Sequence, residues 1–164
     1  MTSFWATATG VFILDRLAKL LTLGNLAMGE RLTLWRGVLE IRLTRNHGMA
    51  LGLLSGYGIV NVALPVLVIA LGWLAMRRYR LTALTRLATA LVVGGFVGNL
   101  ADRLTMGFVV DMVYFPWMPW YICNPADIAI CAGVALLAVS LIFRPTDWRL
   151  KTEASDGEAD HADR

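Results

Sequence analysis

Three aspartates, Asp102, Asp111 and Asp127, lie in or beside long apolar segments in the second half of the chain. Ionisable groups near a bilayer are costly, and each is therefore a hypothesis for a functional site. Two carboxyl groups that share a partly dry site cannot both ionise readily, so one keeps a proton while the other acts as a base. Such a pair can activate a water, polarise a peptide carbonyl and protonate the leaving amine. The residue types thus favour peptide-bond hydrolysis by two aspartates.

Other catalytic groups have weaker support in the sequence. Ser55 and Ser140 have no plausible histidine base, and the two cysteines, Cys123 and Cys131, have no catalytic partner. The chain has only two histidines, and no Cys/His spacing resembles a metal site. We therefore expect neither a metal nor another cofactor.

Asp102 also has a structural interpretation. Arg103 follows it, and Asn99 lies three residues earlier on the same helical face, so a salt bridge at the interface can end the helix and anchor its depth. Gly94 and Gly98, earlier in the same segment, form a small-xxx-small pair that is typical of a close helix contact. Asp102 is thus either catalytic or an anchor.

Residues 124–127 (Asn-Pro-Ala-Asp) are typical of a helix start, with asparagine as the cap, proline at the first position and an acid in the first turn. That arrangement explains Asn124 and Asp127 without catalysis. Asp111 is harder to explain, because it lies in an apolar run and has no basic residue nearby in the sequence. With three candidate acids, physical chemistry alone does not choose the pair.

Two further polar groups have structural interpretations. Asp15 and Lys19 form an i,i+4 pair in the first apolar segment, with the acid first, and such a neutralised pair can hold helices together. Asn46 fits a turn, and His47 beside it fits an exposed turn residue.

The elements that must position these residues are predicted membrane helices. The chain is 57% hydrophobic and 16% charged, with a mean hydropathy of +0.61, whereas soluble domains contain about 25% charged residues. The net charge of +3 is mostly arginine beside apolar segments, which does not favour nucleic-acid binding. Four segments approach the ~20 residues needed to cross a bilayer: 4–26, 57–76, 84–104 and 124–143.

The distribution of lysine and arginine predicts the orientation. The 77–86 connection holds four arginines and no acid, whereas the 105–123 connection has no lysine or arginine. The 27–56 connection carries four arginines, which weakens the contrast. We predict that both termini are cytoplasmic and that the polar tail, 144–164, is disordered.

The two outer connections are more elaborate than the inner one. Leu39, Ile41 and Leu43 alternate with polar residues, which predicts an amphipathic strand pair on the membrane surface. The 105–123 connection is rich in aromatic residues and fits the headgroup belt. The expected fold class is an all-α membrane protein: four transmembrane helices with a small extracytoplasmic β-strand element between helices 1 and 2, in one domain over residues 1–143.

As an ordered set, these motifs resemble the bacterial lipoprotein signal peptidase (signal peptidase II) family. The resemblance covers about residues 12–143, including the four-span layout. Any one motif is weak, but their order is highly specific. The matching segments are 14–19 (Leu-Asp-Arg-Leu-Ala-Lys), 45–50 (Arg-Asn-His-Gly-Met-Ala), 94–103 (with Gly-Asn-Leu-Ala-Asp-Arg at its end), 107–112 (Gly-Phe-Val-Val-Asp-Met) and 124–127 (Asn-Pro-Ala-Asp).

The resemblance implies an aspartic endopeptidase of the bacterial inner membrane, with Asp111 and Asp127 as its catalytic pair at the extracytoplasmic face. It implies cleavage of prolipoproteins before a diacylglyceryl-modified cysteine, and sensitivity to globomycin. The expected partners are these substrates and membrane lipid, with no nucleic acid, and the expected state is a monomer. The positions that match the family's supporting residues are Asn46, Asn99, Asp102, Arg103, Asn124, Asp15 and Lys19.

Two other classes of function are open to the same residues. A small transporter or proton-conducting subunit can use intramembrane aspartates as a relay. Such proteins usually place these groups near the midplane. Of the four acids that such a relay would use, Asp102, Asp111 and Asp127 are predicted at one membrane face, and only Asp15 is not. A non-catalytic scaffold leaves an unpaired Asp111 unexplained. The peptidase is therefore the favoured function.

Overall fold

The computed structural model describes residues 2–48, 58–148 and 150–151 of the chain. Within these ranges, helices bracket a small sheet whose strands come from two separate connections. The elements are α1 (Thr2–Asn25), β1 (Arg31–Trp35), β2 (Leu39–Asn46), α2 (Gly58–Arg78), α3 (Ala83–Met106), β3 (Val109–Tyr114), β4 (Ile122–Cys123), α4 (Pro125–Phe143) and a short 3-10 helix (Pro145–Trp148).

The four long helices coincide with the four predicted apolar segments to within about two residues at each end; residue 57, the predicted start of the second, lies outside the described residues. Three helical segments are long and apolar enough to cross a membrane: Ile59–Arg78, Ala83–Met106 and Pro125–Phe143. α1 has 24 residues, but Asp15, Arg16 and Lys19 interrupt its apolar run. Length and composition thus identify three spanning helices in the described chain, where four were predicted.

α3 lies at the centre of the bundle and packs against each of the other three helices. A Cβ atom at Gly94 would lie 2.7 Å from the carbonyl oxygen of Ala8, and one at Gly98 would lie 2.7 Å from Oδ2 of Asp15. Real side chains do not approach so closely, so both glycines allow α1 to lie directly against α3. The predicted close helix contact is confirmed.

Local signals fix both ends of α3. The side chain of Thr82 accepts a hydrogen bond from the backbone N–H of Thr85 and caps the first turn. At the other end Gly107 has φ +79°, a left-handed conformation that favours glycine, and its N–H donates to the carbonyl of Arg103. This cap turns the chain directly into β3.

The sheet is antiparallel with the strand order β1-β2-β3-β4. The predicted strand pair between the first two helices is present as β1 and β2. The 105–123 connection was predicted only as an aromatic headgroup segment, but it supplies β3 and β4. All but one residue of β3 are buried, so its sequence is a continuous apolar run and lacks the alternation that marks a half-exposed strand.

The chain after α4 begins with an ordered segment. Asp147 in the 3-10 helix is buried, accepts a hydrogen bond from Oγ of Ser140 at 3.0 Å and pairs with Nε of Arg144 at 3.3 Å. This differs from the disorder predicted from residue 144 onward, because a local acid satisfies both a buried hydroxyl and a flanking arginine. Residues 152–164 of the tail lie outside the described residues.

Candidate active site

The structure brings Asp111 and Asp127 to one hydrogen-bonded network. Asp111 lies in β3, where it pairs with Thr44 of β2, and Asp127 lies in the first turn of α4. Asp111 is buried, with 2% of its surface exposed. Three asparagine side chains contact these two carboxyl groups, and each comes from a different part of the chain.

Asn46, the last residue of β2, contacts Asp111 directly. Its Nδ2 donates to Oδ2 of Asp111 at 2.9 Å, and its Oδ1 accepts from the backbone N–H of Gly48 at 2.9 Å. Of the two ends of the Asn46 amide, only the oxygen can accept a hydrogen bond from the Gly48 N–H. The NH₂ group must therefore face the carboxyl group of Asp111. Asn46 therefore makes the predicted turn and also holds the acid. His47 beside it is exposed, as predicted.

Asn124 contacts both sides of the network. Its Oδ1 accepts from the backbone N–H of Asp127 at 2.8 Å, which confirms the predicted helix cap. Its Nδ2 donates to Oδ1 of Asp111 at 2.6 Å. The capping interaction and the contact with the acid thus come from opposite ends of one buried amide, so Asn124 caps the helix and also contacts a candidate acid.

Asn99 of α3 contacts the second acid. Its Nδ2 donates to Oδ1 of Asp127 at 2.7 Å, and its Oδ1 accepts from Nζ of Lys19 at 3.0 Å and from Nδ2 of Asn124 at 3.2 Å. The ammonium group fixes the orientation of this amide, as the backbone N–H groups fix the other two. Both carboxyl oxygens of Asp111 and one of Asp127 therefore receive an oriented N–H.

A buried ionic cluster supports the network from behind. Nζ of Lys19 lies 2.8 Å from Asp15 and 2.7 Å from Asp102, and Arg16 bonds Asp102 and lies 3.4 Å from Asp15. Asp15 and Asp102 are fully buried and Lys19 is 1% exposed. The cluster has two acids and two cations and is therefore neutral. The predicted Asp15–Lys19 pair is confirmed as one part of it.

The predicted pairing of Asp102 with Arg103 and Asn99 is wrong. Consecutive side chains on a helix point about 100° apart, so neighbours in sequence do not face each other. Asp102 faces α1, whereas Arg103 donates to the carbonyl oxygens of Asn99 at 3.4 Å and Gly48 at 2.9 Å. Sequence reasoning also missed Arg16 as the second cation; its position next to Asp15 in an apolar segment was the available signal.

The ionic cluster also holds the backbone next to each candidate acid. Oδ1 of Asp15 accepts from the N–H of Ala126 at 3.2 Å, and Oδ2 of Asp102 accepts from the N–H of Val110 at 3.2 Å. Ala126 directly precedes Asp127, and Val110 directly precedes Asp111. Each candidate acid is therefore positioned through the backbone of the residue before it as well as through its own side chain.

Burial and the nearby charge of Asp127 raise the pKa of Asp111 from its ordinary 3.8 to about 7. The hydrogen bonds from Asn46 and Asn124 and the charge of Lys19 partly oppose this shift, because each favours the ionised form. Asp111 has no cation within ion-pair distance among the described residues. A carboxyl group that keeps its proton close to neutral pH can act as an acid, which is what an aspartate pair requires.

Cys123 of β4, a free thiol near the two acids, fits catalysis poorly. Burial and the charges of Asp127 and Asp111 raise the pKa of this thiol to about 12. The thiolate is the nucleophilic form of cysteine. Cys123 thus stays protonated at neutral pH.

A cavity of about 240 Å³ adjoins the network on the α2 side, lined by Asn46, His47, Asn61, Val62, Arg103 and Gly107. Nδ2 of Asn61 donates to the carbonyl of His47 at 3.1 Å, while its buried Oδ1 has no hydrogen-bond partner among the residues that the structure describes. Sequence reasoning missed Asn61, although a single amide near the start of an otherwise apolar helix is a visible signal. Within the described part of the chain, the cavity therefore holds an amide oxygen without a partner on the side of Asn46, which contacts Asp111.

Comparisons with known proteins agree with this architecture. The sequence model of a family described as signal peptidase (SPase) II matches residues 7–143. The lipoprotein signal peptidase of Halothermothrix orenii is 32% identical over 131 residues, which cover 80% of this chain and 89% of the relative. That of Shigella boydii serotype 4 is 39% identical over 140 residues, which cover 79% and 82% of the two chains. That of Syntrophomonas wolfei is 36% identical over 140 residues, covering 85% and 93%.

Two solved structures, each of a bacterial membrane enzyme studied by the in meso method, share the fold. One superposes with a TM-score of 0.81 at 24% identity and covers 87% of this chain and 88% of its own. The other has a TM-score of 0.79 at 23% identity, with 88% and 95% covered. At these identities the likeness establishes the fold alone.

Proposed function

Because the chain belongs to the signal peptidase II family, we propose that it is a membrane-embedded aspartic endopeptidase. Its reaction is the removal of signal peptides from prolipoproteins by cleavage before the diacylglyceryl-modified cysteine. The observation that carries this proposal is the network in which oriented asparagine amides hold two carboxyl groups, Asp111 and Asp127. The ionic cluster occupies Asp15 and Asp102 with cations, so these acids are not available for a proton relay.

The two acids divide the chemistry. Asp127 lies in the first turn of α4, where the helix dipole favours a negative charge, and acts as the base. It takes a proton from a water, and the resulting hydroxide adds to the scissile carbonyl while protonated Asp111 gives its proton to the carbonyl oxygen. The C–N bond of the tetrahedral intermediate then breaks. Asp127 returns its proton to the leaving amine, and Asp111 recovers one as the carboxylic acid forms.

α1 serves as the fourth membrane span in this proposal. Its charged side chains lie in the neutral cluster against α3, and its leucines, including Leu14, Leu17 and Leu20, are exposed on the opposite face. Polar groups that face inwards and apolar groups that face outwards are what lipid requires of a spanning helix. Four spans place both termini on the same side. The arginines of the 77–86 connection favour the cytoplasm for that side, and the acids then lie at the extracytoplasmic face of the inner membrane.

Reporter fusions test this topology. A reporter fused after Arg80 should indicate the cytoplasm, and reporters after Gly37 or Trp117 should indicate the outside. One membrane span lies between each connection and the next, so consecutive connections face opposite sides. A fusion after Trp117 that indicates the cytoplasm contradicts the proposal, since β3 and Asp111 then face the compartment that holds no exported precursor.

The lipid on the substrate provides the direct test of function. The acids lie where α3 and α4 leave the bilayer, so a substrate whose acyl chains stay in the membrane is held at their depth; each buried CH₂ adds about 0.8 kcal/mol of membrane affinity. In detergent, purified protein should cleave a diacylglyceryl-modified precursor and be inhibited by globomycin. An unmodified precursor should be cleaved far more slowly, and a chelator should have no effect. Equal cleavage of both precursors rules out the proposed substrate class.

The pH dependence reports the proton on Asp111. Since its pKa is about 7, kcat/KM should fall as the pH rises through about 7, where the acid loses its proton. The hydrogen bond from Asn46 lowers this pKa, so Asn46→Leu should move the descending limb to higher pH. The same change at Asn25, an exposed residue of α1, is the control and should leave the limb in place. A limb that moves to lower pH in Asn46→Leu contradicts the assignment of Asp111 as the acid.

A further inference from the structure

A second cavity lies at the other end of the helix bundle. It encloses about 300 Å³ and is lined by Phe4, Met76, Tyr79, Arg80, Leu81, Arg86 and Lys151. Arg86 precedes Asp102 by 16 residues of α3, which corresponds to about 24 Å along the helix axis. The cavity is therefore remote from the candidate acids and has no part in the proposed reaction.

The polar lining of this cavity is cationic. Nη2 of Arg86 donates to the carbonyl of Leu81 at 3.1 Å, and Nζ of Lys151 donates to the carbonyl of Met76 at 2.8 Å. These backbone contacts hold the two cations in place but do not neutralise them. No carboxylate lines the cavity among the described residues, and Asp147 nearby in the chain is already bonded to Ser140 and Arg144. Within the described part of the chain, Arg86 and Lys151 therefore give the cavity a net positive charge, which suits an anion.

The apolar lining indicates what kind of anion fits. Phe4 and Met76 are 1% and 7% exposed and belong to one buried cluster, against which Leu81 packs. The cavity lies between the last residue of the spanning segment Ile59–Arg78 and the first residue of the segment Ala83–Met106. This is the depth of lipid headgroups. A free inorganic anion makes no use of an apolar wall at that depth, whereas a phospholipid presents a phosphate and a glycerol-linked acyl chain together. Basic pockets between spanning helices bind anionic headgroups in this way.

We propose that this cavity binds an anionic glycerophospholipid. Its phosphodiester lies against Arg86 and Lys151, and the start of an acyl chain packs on Phe4, Met76 and Leu81. Guanidinium groups suit phosphate oxygens because their fork matches two of them at once. Lipid binding at this cavity does not depend on the proposed peptidase activity, so it can be measured whether or not the protein cleaves a precursor.

The test is lipid binding to the full-length protein in a non-ionic detergent, measured by native mass spectrometry and by thermal unfolding. Phosphatidylglycerol should bind at least about tenfold more tightly than phosphatidylcholine and should raise the unfolding temperature. Arg86→Gln combined with Lys151→Gln should remove this preference. Arg78→Gln is the matched control, because Arg78 is an exposed arginine at the same end of the bundle that does not line the cavity. It should bind as the unchanged protein does.

Three results overturn the proposal. One is equal binding of the two lipids, and another is an equal loss in the Arg78 control, which indicates a diffuse surface charge. The third is that inorganic phosphate stabilises the protein as much as phosphatidylglycerol does, since the site then takes a free anion. If the double variant does not fold, Lys151→Gln alone serves as the test, because a substitution at this exposed residue should leave the fold intact. The Lys151→Gln variant should lose part of the preference for phosphatidylglycerol.

Discussion

Asp111→Asn and Asp127→Asn are each expected to abolish cleavage while the protein still inserts and folds. An amide is nearly isosteric with a carboxyl group, but it can neither take a proton from water nor share one with its partner. General acid–base catalysis is typically worth 10² to 10⁴-fold, so a loss of at least about this size is expected in single-turnover assays. Members of one catalytic unit fail together, and the double variant should be barely slower than either single variant.

Asp102→Asn is the matched control, because it makes the same chemical change in the ionic cluster. Asp102 bonds Lys19 and Arg16 rather than a proposed reacting atom. Its amide should lower the yield of folded protein and leave measurable activity per folded molecule. All variants must therefore be compared at matched folded concentration. If Asp111→Asn keeps a near-normal rate while Asp102→Asn is inactive, the reacting pair is Asp102 with Asp127.

The helices could be predicted from the sequence because each is defined by its own residues. Apolar length gave their positions, and the predicted cap at Asn124 marked the start of α4. The enlarged sheet could not be predicted in this way. β3 pairs with β2 across a long stretch of chain, and its burial on both faces removes the alternation on which strand prediction depends. Only packing in three dimensions brings the two connections together.

The candidate site was predictable to a similar degree. The resemblance named the asparagines, and local chemistry gave Asn46 its turn and Asn124 its cap. Neither source showed that the amide oxygen of each residue accepts from a backbone N–H while its NH₂ group donates to Asp111. The partners of Asp102 were assigned wrongly because sequence proximity was taken for contact. Its true partners, Lys19 and Arg16, lie more than 80 residues away on α1 and could be found only from the packing of α1 on α3.

Lys19→Met should strongly destabilise the fold. Methionine keeps much of the apolar stem, so the main loss is the charge that bonds both Asp15 and Asp102. These carboxylates are fully buried, and Arg16 alone is left to neutralise them. Removal of one partner from a buried ion pair typically costs about 3–5 kcal/mol. The free energy of unfolding, measured by titration with a denaturing detergent, should fall by roughly that amount.

Two comparisons show whether unpaired charge is the cause. Lys151→Met makes the same substitution at an exposed lysine and, without added phospholipid, should change stability by no more than about 0.5 kcal/mol. Lys19→Met combined with Asp15→Asn leaves Asp102 with Arg16 and restores a neutral cluster, while the amide oxygen can still accept from the N–H of Ala126. The double variant should therefore be more stable than Lys19→Met alone. If the two losses simply add, Lys19 stabilises the fold by packing, and the buried charges are not what holds α1 against α3.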